Sequence, residues 1–479
     1  VVAEGEEPVL IAATAGQPHR SLNIDIAPHA GTWGTAQQYQ RGQDDALPLA
    51  DGEWLYQHYA SISAPDNHAP AFRPIPQVSS LVSKGTRFSA KKGVSLALAQ
   101  SHPARAVFSD AGIPVGESGL TVTTERTASH DEIPAGSYSL DVSPQGITIS
   151  AADSAGQDYA LMTLAQLYNS TDKTFPSVHI KDSPAYSYRG MHMDIARNYQ
   201  GEDSIRNLLE QMYRFKLNKL HLHLADDESW RLAIRALPAL TSVGAWRCFD
   251  LSEQSCLLPT FGSGPHADTK VNGFLSQNEF VGLLKYAAAR HIDIIPSIDM
   301  PGHSRAAIKS LQAGQGPLQL VEDSDNTQYR SIQHYNDNTL NPCIAPTFEF
   351  AGIIMDELKY LYSKAGVAFE WFHMGADETA GAWTQSPACK TQFGRELTSQ
   401  DGHTLLGQFV ERIQKMAAER GLKLAGWSDG LGHLPDEHKG NDLLVTFWHT
   451  LNSGGAGEVN QWLESGTQVV LSLPDVLYF

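Results

Sequence analysis

Three features of the sequence predict an α/β protein in which a parallel (β/α)8 barrel follows a small α+β unit. Residues 72–183 carry short β-prone runs around a single helix, residues 184–479 alternate strand with helix, and 479 residues are too many for one hydrophobic core. An alternating pattern builds a parallel sheet, and at about 290 residues a closed barrel outranks an open doubly wound sheet.

The first unit begins at Phe72-Arg73-Pro74-Ile75-Pro76, after a Pro-, His- and Gln-rich segment with aromatic patches at Trp33 and Trp54–Tyr56 but no sustained periodicity. Its strands are expected at Val94–Ala99, Leu120–Thr124, Tyr138–Val142 and Ile147–Ser150, separated by Gly, Pro and Ser. Tyr159, Leu161 or Met162, Leu164 and Leu167 recur at helical spacing and predict one amphipathic helix over Asp158–Asn169. Asp182-Ser183-Pro184 reads as the linker to the second unit.

The second unit opens with a strand at Tyr188–Ala196 and a helix whose apolar face is Ile205, Leu208, Leu209, Met212 and Tyr213. Lys219–Leu224 is the next strand. Ser276-Gln277-Asn278-Glu279 is a capping box that opens the helix carrying Phe280, Leu283, Leu284 and Ala287, and Ile292–Ile298 returns as a β-branched run. Helix Thr347–Ser363 leads to strand Trp371–Gly375, and helix Thr404–Arg420, stopped by Gly421, leads to Leu422–Trp427. Leu443–Trp448 and Val469–Leu473 complete seven strands.

Composition narrows the partners. Apolar residues make up 42% and charged residues 18%, the usage of a chain that folds around a core. Lys and Arg number 35 against 53 Asp and Glu; a net charge of −18 repels phosphate backbones and anionic lipids, so neither nucleic acid nor a membrane is an expected partner. No run approaches the roughly 20 apolar residues that span a bilayer. No Gly-rich nucleotide signature follows a strand, no cofactor is expected, and no obligate protein partner is evident. The start, VVAEGEEPVL, lacks an initiator Met and a basic stretch before an apolar one, as expected where a signal peptide has been removed or left out. Cys248 and Cys256 bracket RCFDLSEQSC, a spacing that suits a local disulfide better than a metal site, with free thiols as the alternative. A disulfide there implies an exported protein, whether periplasmic, outer-membrane-associated or extracellular.

In parallel barrels the chemistry comes from the C-terminal ends of the strands. Those ends read Met193-Asp194-Ile195-Ala196-Arg197, Asp226-Asp227-Glu228, Asp299-Met300-Pro301-Gly302-His303, Asp377-Glu378, Trp427-Ser428-Asp429 and Trp448-His449. Solvated loop charges have no reason to collect on one rim. Carboxylates interleaved with Trp suit a carbohydrate, since aromatic faces pack on a pyranose while acids bond its hydroxyls and protonate its glycosidic oxygen. Two opposed carboxyls normally stand about 5 to 10 Å apart across the scissile bond. Asp377 and Glu378 are neighbours with diverging side chains, a poor opposed pair. The workable division is a Glu that protonates the leaving group and an Asp that orients a nucleophile supplied by the substrate.

RGMHMDIARNY, HLHLADDESW, IPSIDMPGHSRA, FHMGADE, AGWSDG and Tyr478 resemble, in order, the motifs of glycoside hydrolase family 20, the β-N-acetylhexosaminidases, especially their bacterial chitobiase-like branch. The resemblance covers residues 72–479: an α+β domain over 72–183 and a catalytic TIM barrel over 184–479. Residues 1–71 stay unassigned, a place that the end of a β-rich carbohydrate-binding domain and its linker would suit. The resemblance implies an exo-acting enzyme that releases terminal non-reducing β-linked N-acetylglucosamine from chitooligosaccharides by a substrate-assisted, retaining route. It makes Glu378 the general acid/base and Asp377 the residue that holds the 2-acetamido N–H. It makes Tyr478 the donor to the acetamido oxygen, Arg197 the grip on the terminal sugar, Asp226 and His303 the groups that tune Glu378, and Trp427 and Trp448 the pocket walls. It implies no metal, a Cys248–Cys256 disulfide, and a second at Cys343–Cys389.

Ser297 stands where many members have Glu, and Ala376 where many have Gly. The family continues with an Asp two positions past the tyrosine and a strand bearing Trp-x-Glu; Phe479 follows Tyr478 here, so the expected barrel is incomplete at its C-terminus. Two other readings compete. A chitooligosaccharide-binding protein without turnover has no use for the Asp377-Glu378 pair. A metal-dependent amidohydrolase would use His221 and His223, at strand period two, but no Lys or further His pair stands at the later strand ends. Period two also puts Asp226 on the face of Leu222 and Leu224, a conflict that a bulge at the strand end would resolve. Arg189 and His373 are expected to be structural partners of barrel carboxylates, and Trp371 and Trp383 to be packing residues.

Overall fold

The computed structural model describes residues 73–126, 133–260, 262–314, 316, 318–379, 381–450 and 455–477. Residues 1–71 and Tyr478 lie outside the described residues.

The small domain runs β1 (Ser80–Ser89), β2 (Val94–Ser95), α1 (Ala104–Asp110), β3 (Leu120–Arg126), β4 (Tyr138–Ser143), β5 (Gly146–Ala151), α2 (Ser154–Leu167) and β6 (Thr174–Asp182). Its six-stranded sheet has the order β1-β6-β4-β5-β3-β2, mostly antiparallel, with β3 parallel to β5 and to β2. Asp153 caps α2 by accepting the Gly156 N–H at 2.7 Å, which fixes the helix start four residues earlier than periodicity suggests. Ten of the fourteen α2 residues are buried, so this is a central helix rather than a one-sided one.

From residue 190 on, the elements in chain order are β7 (Gly190–Asp194), α3 (Gly201–Arg214), β8 (Lys219–Ala225), α4 (Ala239–Ser242), α5 (Gln277–Ala288), β9 (Asp293–Ile298), α6 (Arg305–Ala313), α7 (Ala345–Ala365), β10 (Trp371–His373), α8 (Pro387–Phe393), α9 (Ser399–Glu419), β11 (Lys423–Trp427), α10 (Ser428–Leu431), β12 (Leu443–Phe447), α11 (Ala456–Glu464), β13 (Gln468–Leu471) and α12 (Pro474–Leu477). The Ser276 capping box is present at α5. Seven parallel strands lie in chain order, β7 to β13. The sheet is curled. His192 on β7 and Trp427 on β11 are four strands apart, about 19 Å in a flat sheet, yet their rings sit 5.8 Å apart. Ile295, Trp371, Ala425 and Leu444 close the interior at one level. The His221 ring lies 4.1 Å from His373 and 5.5 Å from Trp427. Among the described residues, no helix is long and apolar enough to cross a membrane. The described segments at 449–450, 455–460 and 473–477 form a separate unit, in which His449 pairs with Glu458 at 3.2 Å.

The small domain and the barrel meet through buried polar groups. Lys216, 6% exposed, donates to Asp182 at the end of β6 and to the Tyr138 hydroxyl, each at 2.9 Å. Tyr213 of α3 donates to Asp158 of α2 at 2.7 Å, and His291 stands 3.2 Å from the same carboxylate. Arg189 is structural as expected, but not through carboxylates: it donates to the Lys216 and Tyr186 carbonyls and the Tyr159 hydroxyl. Disulfides join Cys248 to Cys256 and Cys343 to Cys389, with Cα atoms 5.7 and 5.2 Å apart.

Candidate active site

The strand ends converge on a chain of charges. The pairing of β8 with β9 shifts between His223 and Ala225, and this irregularity turns Asp226 inward, resolving the parity conflict. Asp226 Oδ2 accepts Arg197 Nη2 at 2.7 Å and His223 Nε2 at 2.8 Å; Oδ1 accepts His303 Nδ1 at 3.1 Å and the Asp227 N–H at 2.6 Å. The Asp226 side chain is inaccessible to water. Burial opposes its charge, but Arg197 and His303 outweigh burial and hold it well below the usual carboxylate range.

His303 carries this charge on to the acid pair. Its Nε2 lies 3.4 Å from Asp377 Oδ2 and 3.4 Å from Glu378 Oε2. Burial again opposes the charge; Asp226, Asp377 and the bond to Asp227 hold the imidazolium well above its ordinary range. Asp377 shows the opposite result. Burial, then Asp299, Asp429 and Asp226, push its carboxyl well above the usual range against the pull of His303, and Oδ1 is buried without a partner among the described residues. A buried, unsatisfied acceptor beside a proton donor awaits a hydrogen bond from a bound group.

The loop after β10 is strained. Gly375, Ala376 and Glu378 take φ of 69°, 76° and 50°, a left-handed run that costs about 1–3 kcal/mol for each non-glycine residue. Ala376 thus has a backbone that favours glycine. The loop is held by the Trp427 N–H on the Gly375 carbonyl (2.8 Å) and by the Glu378 N–H on Asp429 Oδ2 (3.2 Å). Three glycines make room: a Cβ on Gly430 would come 1.7 Å from the Ala376 oxygen, one on Gly302 2.6 Å from the Asp377 oxygen, and one on Gly375 2.3 Å from Asp299. Asp429 Oδ1 also accepts the Trp448 indole N–H at 3.0 Å, and the Trp448 ring lies 6.3 Å from that of Trp427.

Arg197 is almost fully committed, to Asp194 (2.9 Å), Asp226 and Glu228 (3.1 Å). Of its five N–H donors this fixed fork leaves little for a ligand beyond Nη. Burial, then Asp226, raises the Glu228 carboxyl to about 8, and its Oε1 is buried unpartnered.

Asp377, Glu378, His303, Asp226, Arg197, Trp427 and Trp448 are therefore linked by these contacts. The sequence assigns no role to Asp429, which ties Glu378 to Trp448, and does not point to Gln333, whose Nε2 donates to Glu378 Oε2 at 3.4 Å. Asp429 stood among the strand-end acids; for Gln333 no local signal existed. Ser297 serves as a bridging hydroxyl between Asp299 (3.1 Å), His223 and His373. His373 is satisfied by Ser297 and Thr446 rather than by carboxylates. Trp371 and Trp383 are buried packing residues.

His223–Asp226–Asp299, Asp226–Asp227–His303 and His303–Asp377–Glu378 each bring donor atoms within 4.8 Å of one another, a spacing that could hold a cation. In the first set His223, which Asp299, Asp194 and Asp226 hold at about 9 against burial, already supplies the positive charge, with Arg197 beside it. Among the described residues His221 joins none of these sets; its ring packs at a tilt against those of His373 and Trp427, and no paired-ligand arrangement of an amidohydrolase is found there.

The family model for the glycosyl hydrolase family 20 catalytic domain matches residues 186–479, and the model for domain 2 of that family matches residues 73–183. Beta-hexosaminidase B of Pseudoalteromonas piscicida is 39% identical over 98% of this chain and 62% of its own length. N,N'-diacetylchitobiase of Vibrio harveyi is 36% identical over 72% of this chain and 44% of its own. The crystal structure of a GH20 exo beta-N-acetylglucosaminidase from Vibrio harveyi in complex with N-acetylglucosamine superposes with a TM-score of 0.68 at 30% identity, covering 85% of this chain and 63% of that one. The chain thus spans 44% to 62% of the length of these curated relatives.

Proposed function

This chain belongs to glycosyl hydrolase family 20, and from that premise we propose that it hydrolyses terminal, non-reducing β-linked N-acetylglucosamine from chitooligosaccharides, with retention at C1 and the substrate's own acetamido group as nucleophile. One observation carries the reading: a carboxylate oxygen of Asp377, one of Glu378 and a ring nitrogen of His303 all lie within 4.8 Å of one another, closer than opposed carboxyls normally stand, so the two acids share one side of the site rather than flank a glycosidic bond. The partnerless Asp377 Oδ1 agrees with a role in accepting the acetamido N–H.

In this mechanism the acetamido carbonyl oxygen attacks C1 while the C1–O bond breaks, and Glu378 gives its proton to the departing oxygen. The positive charge spreads over an oxazolinium ring, whose N–H hydrogen-bonds the ionised Asp377. Glu378 then takes a proton from water, whose oxygen adds to C1 and reopens the ring. His303, held by Asp226, faces both acids and steadies them through the two steps. Arg197 and Glu228 would engage the sugar hydroxyls, Trp427 and Trp448 would wall the pocket, and Tyr478 would bond the acetamido oxygen. Two disulfides support an exported protein.

Hydrolysis of 4-nitrophenyl β-N-acetylglucosaminide, with the product anomer followed by NMR, tests the proposal. Retention with no trapped glycosyl ester is expected; inversion, or tight binding of chitooligosaccharide without turnover, overturns it.

A further inference from the structure

One polar side chain beside Glu378 has no part in that chemistry. Gln333 gives an Nε2 hydrogen to Glu378 Oε2 at 3.4 Å, while its carbonyl oxygen Oε1 is buried without a hydrogen-bond partner among the described residues. A buried acceptor without a donor is costly, and a site that retains one is built for a donor that arrives with a ligand.

Gln333 does not reach Glu378 by chance of a loose loop. It sits in a turn closed by the Ser331 N–H on the Tyr335 carbonyl (2.7 Å), the Tyr335 N–H on Ser331 Oγ (3.0 Å) and the His334 N–H on the Ser331 carbonyl (2.9 Å), with His334 at φ 74°. Beneath the turn, the Arg305 guanidinium lies 5.3 Å from the Tyr335 ring and bonds Asp337 and Glu253, each at 2.9 Å. Asn338 ties the same segment to Asp227 at 2.9 Å. A polar side chain on a framework locked in this way is positioned for use.

Position then points to a ligand. His303 and Gln333 both crowd Glu378 Oε2, and among the described residues no hydrogen bond reaches Oε1. Oε1 is therefore the oxygen able to carry the proton to the glycosidic oxygen. Because Gln333 touches the carboxyl that protonates the departing oxygen, a sugar leaving with that oxygen would bring hydroxyl and acetamido donors to it.

We propose that Gln333 binds the leaving sugar. Its Oε1 accepts a hydrogen bond from a hydroxyl or amide N–H of the residue on the reducing side of the scissile bond. The inference rests on the hydrolytic reading above. It makes the catalytic advantage of a sugar leaving group over a plain aryl one depend on this side chain.

The test compares wild type, Gln333→Met and Gln333→Glu in the full-length protein, on N,N'-diacetylchitobiose and on 4-nitrophenyl β-N-acetylglucosaminide, with thermal unfolding run on each variant. Gln333→Met keeps the volume and removes both polar atoms. It is expected to lower kcat/KM on the disaccharide about ten-fold, mainly through KM, and on the nitrophenyl substrate less than about three-fold. Gln333→Glu keeps an acceptor, so KM for the disaccharide returns toward wild type; its second carboxylate disfavours loss of the proton the reaction needs, so the alkaline limb of the pH profile moves upward. An equal fall on both substrates, or no fall on either, overturns the assignment while leaving the hydrolase reading intact. Failure of wild type to cleave either substrate overturns both.

Discussion

Gly430→Ala tests whether the acid pair owes its position to the backbone packed beneath it. A Cβ at this site would stand 1.7 Å from the Ala376 carbonyl oxygen and 2.4 Å from its carbon, and Cβ atoms essentially never come within 3.0 Å of another heavy atom. The obstacle is backbone on both sides, so the 375–378 loop has to retreat by about 1 Å or more. Glu378 lies two residues along that loop, and its N–H is bonded to Asp429, which also holds Trp448. Misplacement on this scale costs on the order of 10²-fold in rate, or about 2.7 kcal/mol of activation free energy. Overpacking takes a further ~1–3 kcal/mol from stability. Gly302→Ala intrudes less, with one contact of 2.6 Å on the Asp377 oxygen and the next at 3.5 Å, and should lose about ten-fold. Gly116→Ala, with nothing within 4 Å of its Cβ, is the control and should behave as wild type. The assay is kcat on 4-nitrophenyl β-N-acetylglucosaminide, with melting curves for all three variants. A folded Gly430→Ala protein that keeps more than about a third of wild-type kcat refutes the reasoning.

Four further outcomes are expected. Glu378→Gln should cut turnover of chitooligosaccharide by about 10²–10⁴-fold while calorimetry shows sugar binding preserved; wild-type turnover removes its role as acid. Asp377→Ala should damage 2-acetamido substrates far more than any side activity on plain glucosides, and equal loss on both discredits participation by the amide. Because burial and neighbouring acids hold the Asp377 carboxyl high, and participation needs it ionised, kcat/KM should fall as pH drops through that raised value. The acid limb should then stand above about 4, and a limb at or below that contradicts the assignment. Removing Cys343–Cys389, which closes 46 residues, should cost about 4 kcal/mol against about 2.5 kcal/mol for the 8-residue Cys248–Cys256 loop; the reverse order in denaturant melts counts against a chain-entropy origin.

What the sequence disclosed followed from periodicity and local chemistry. The β-branched run at Ile292–Ile298, the Ser276 capping box and the apolar stripe of α3 report their own conformation, and each is found within a residue or two. β1 was illegible because it is an edge strand of mostly exposed residues, and β6 because Pro176 interrupts it. The Val94–Ala99 run keeps only two paired residues, since a Cβ-free Gly119 and the Pro114 carbonyl fix its contacts instead. Helix α6 is not legible because it follows the Gly302-His303 turn without a side-chain cap. The acid pair, His303 and Asp226 were legible because they cap strands. Gln333 was not: it lies 45 residues from Glu378 in a segment without periodicity, and only the fold brings the two together.

The polar seam between the first domain and the barrel decides what can be cut apart. Lys216 belongs to one and Asp182 to the other, and both are largely hidden from water. Excising the barrel would take the Lys216 ammonium from Asp182 and the Tyr213 hydroxyl from Asp158, and would open to water the surfaces that these groups close. The N-terminal domain is thus a permanent buttress rather than a detachable module, and calorimetry of the pair should record one shared melting event.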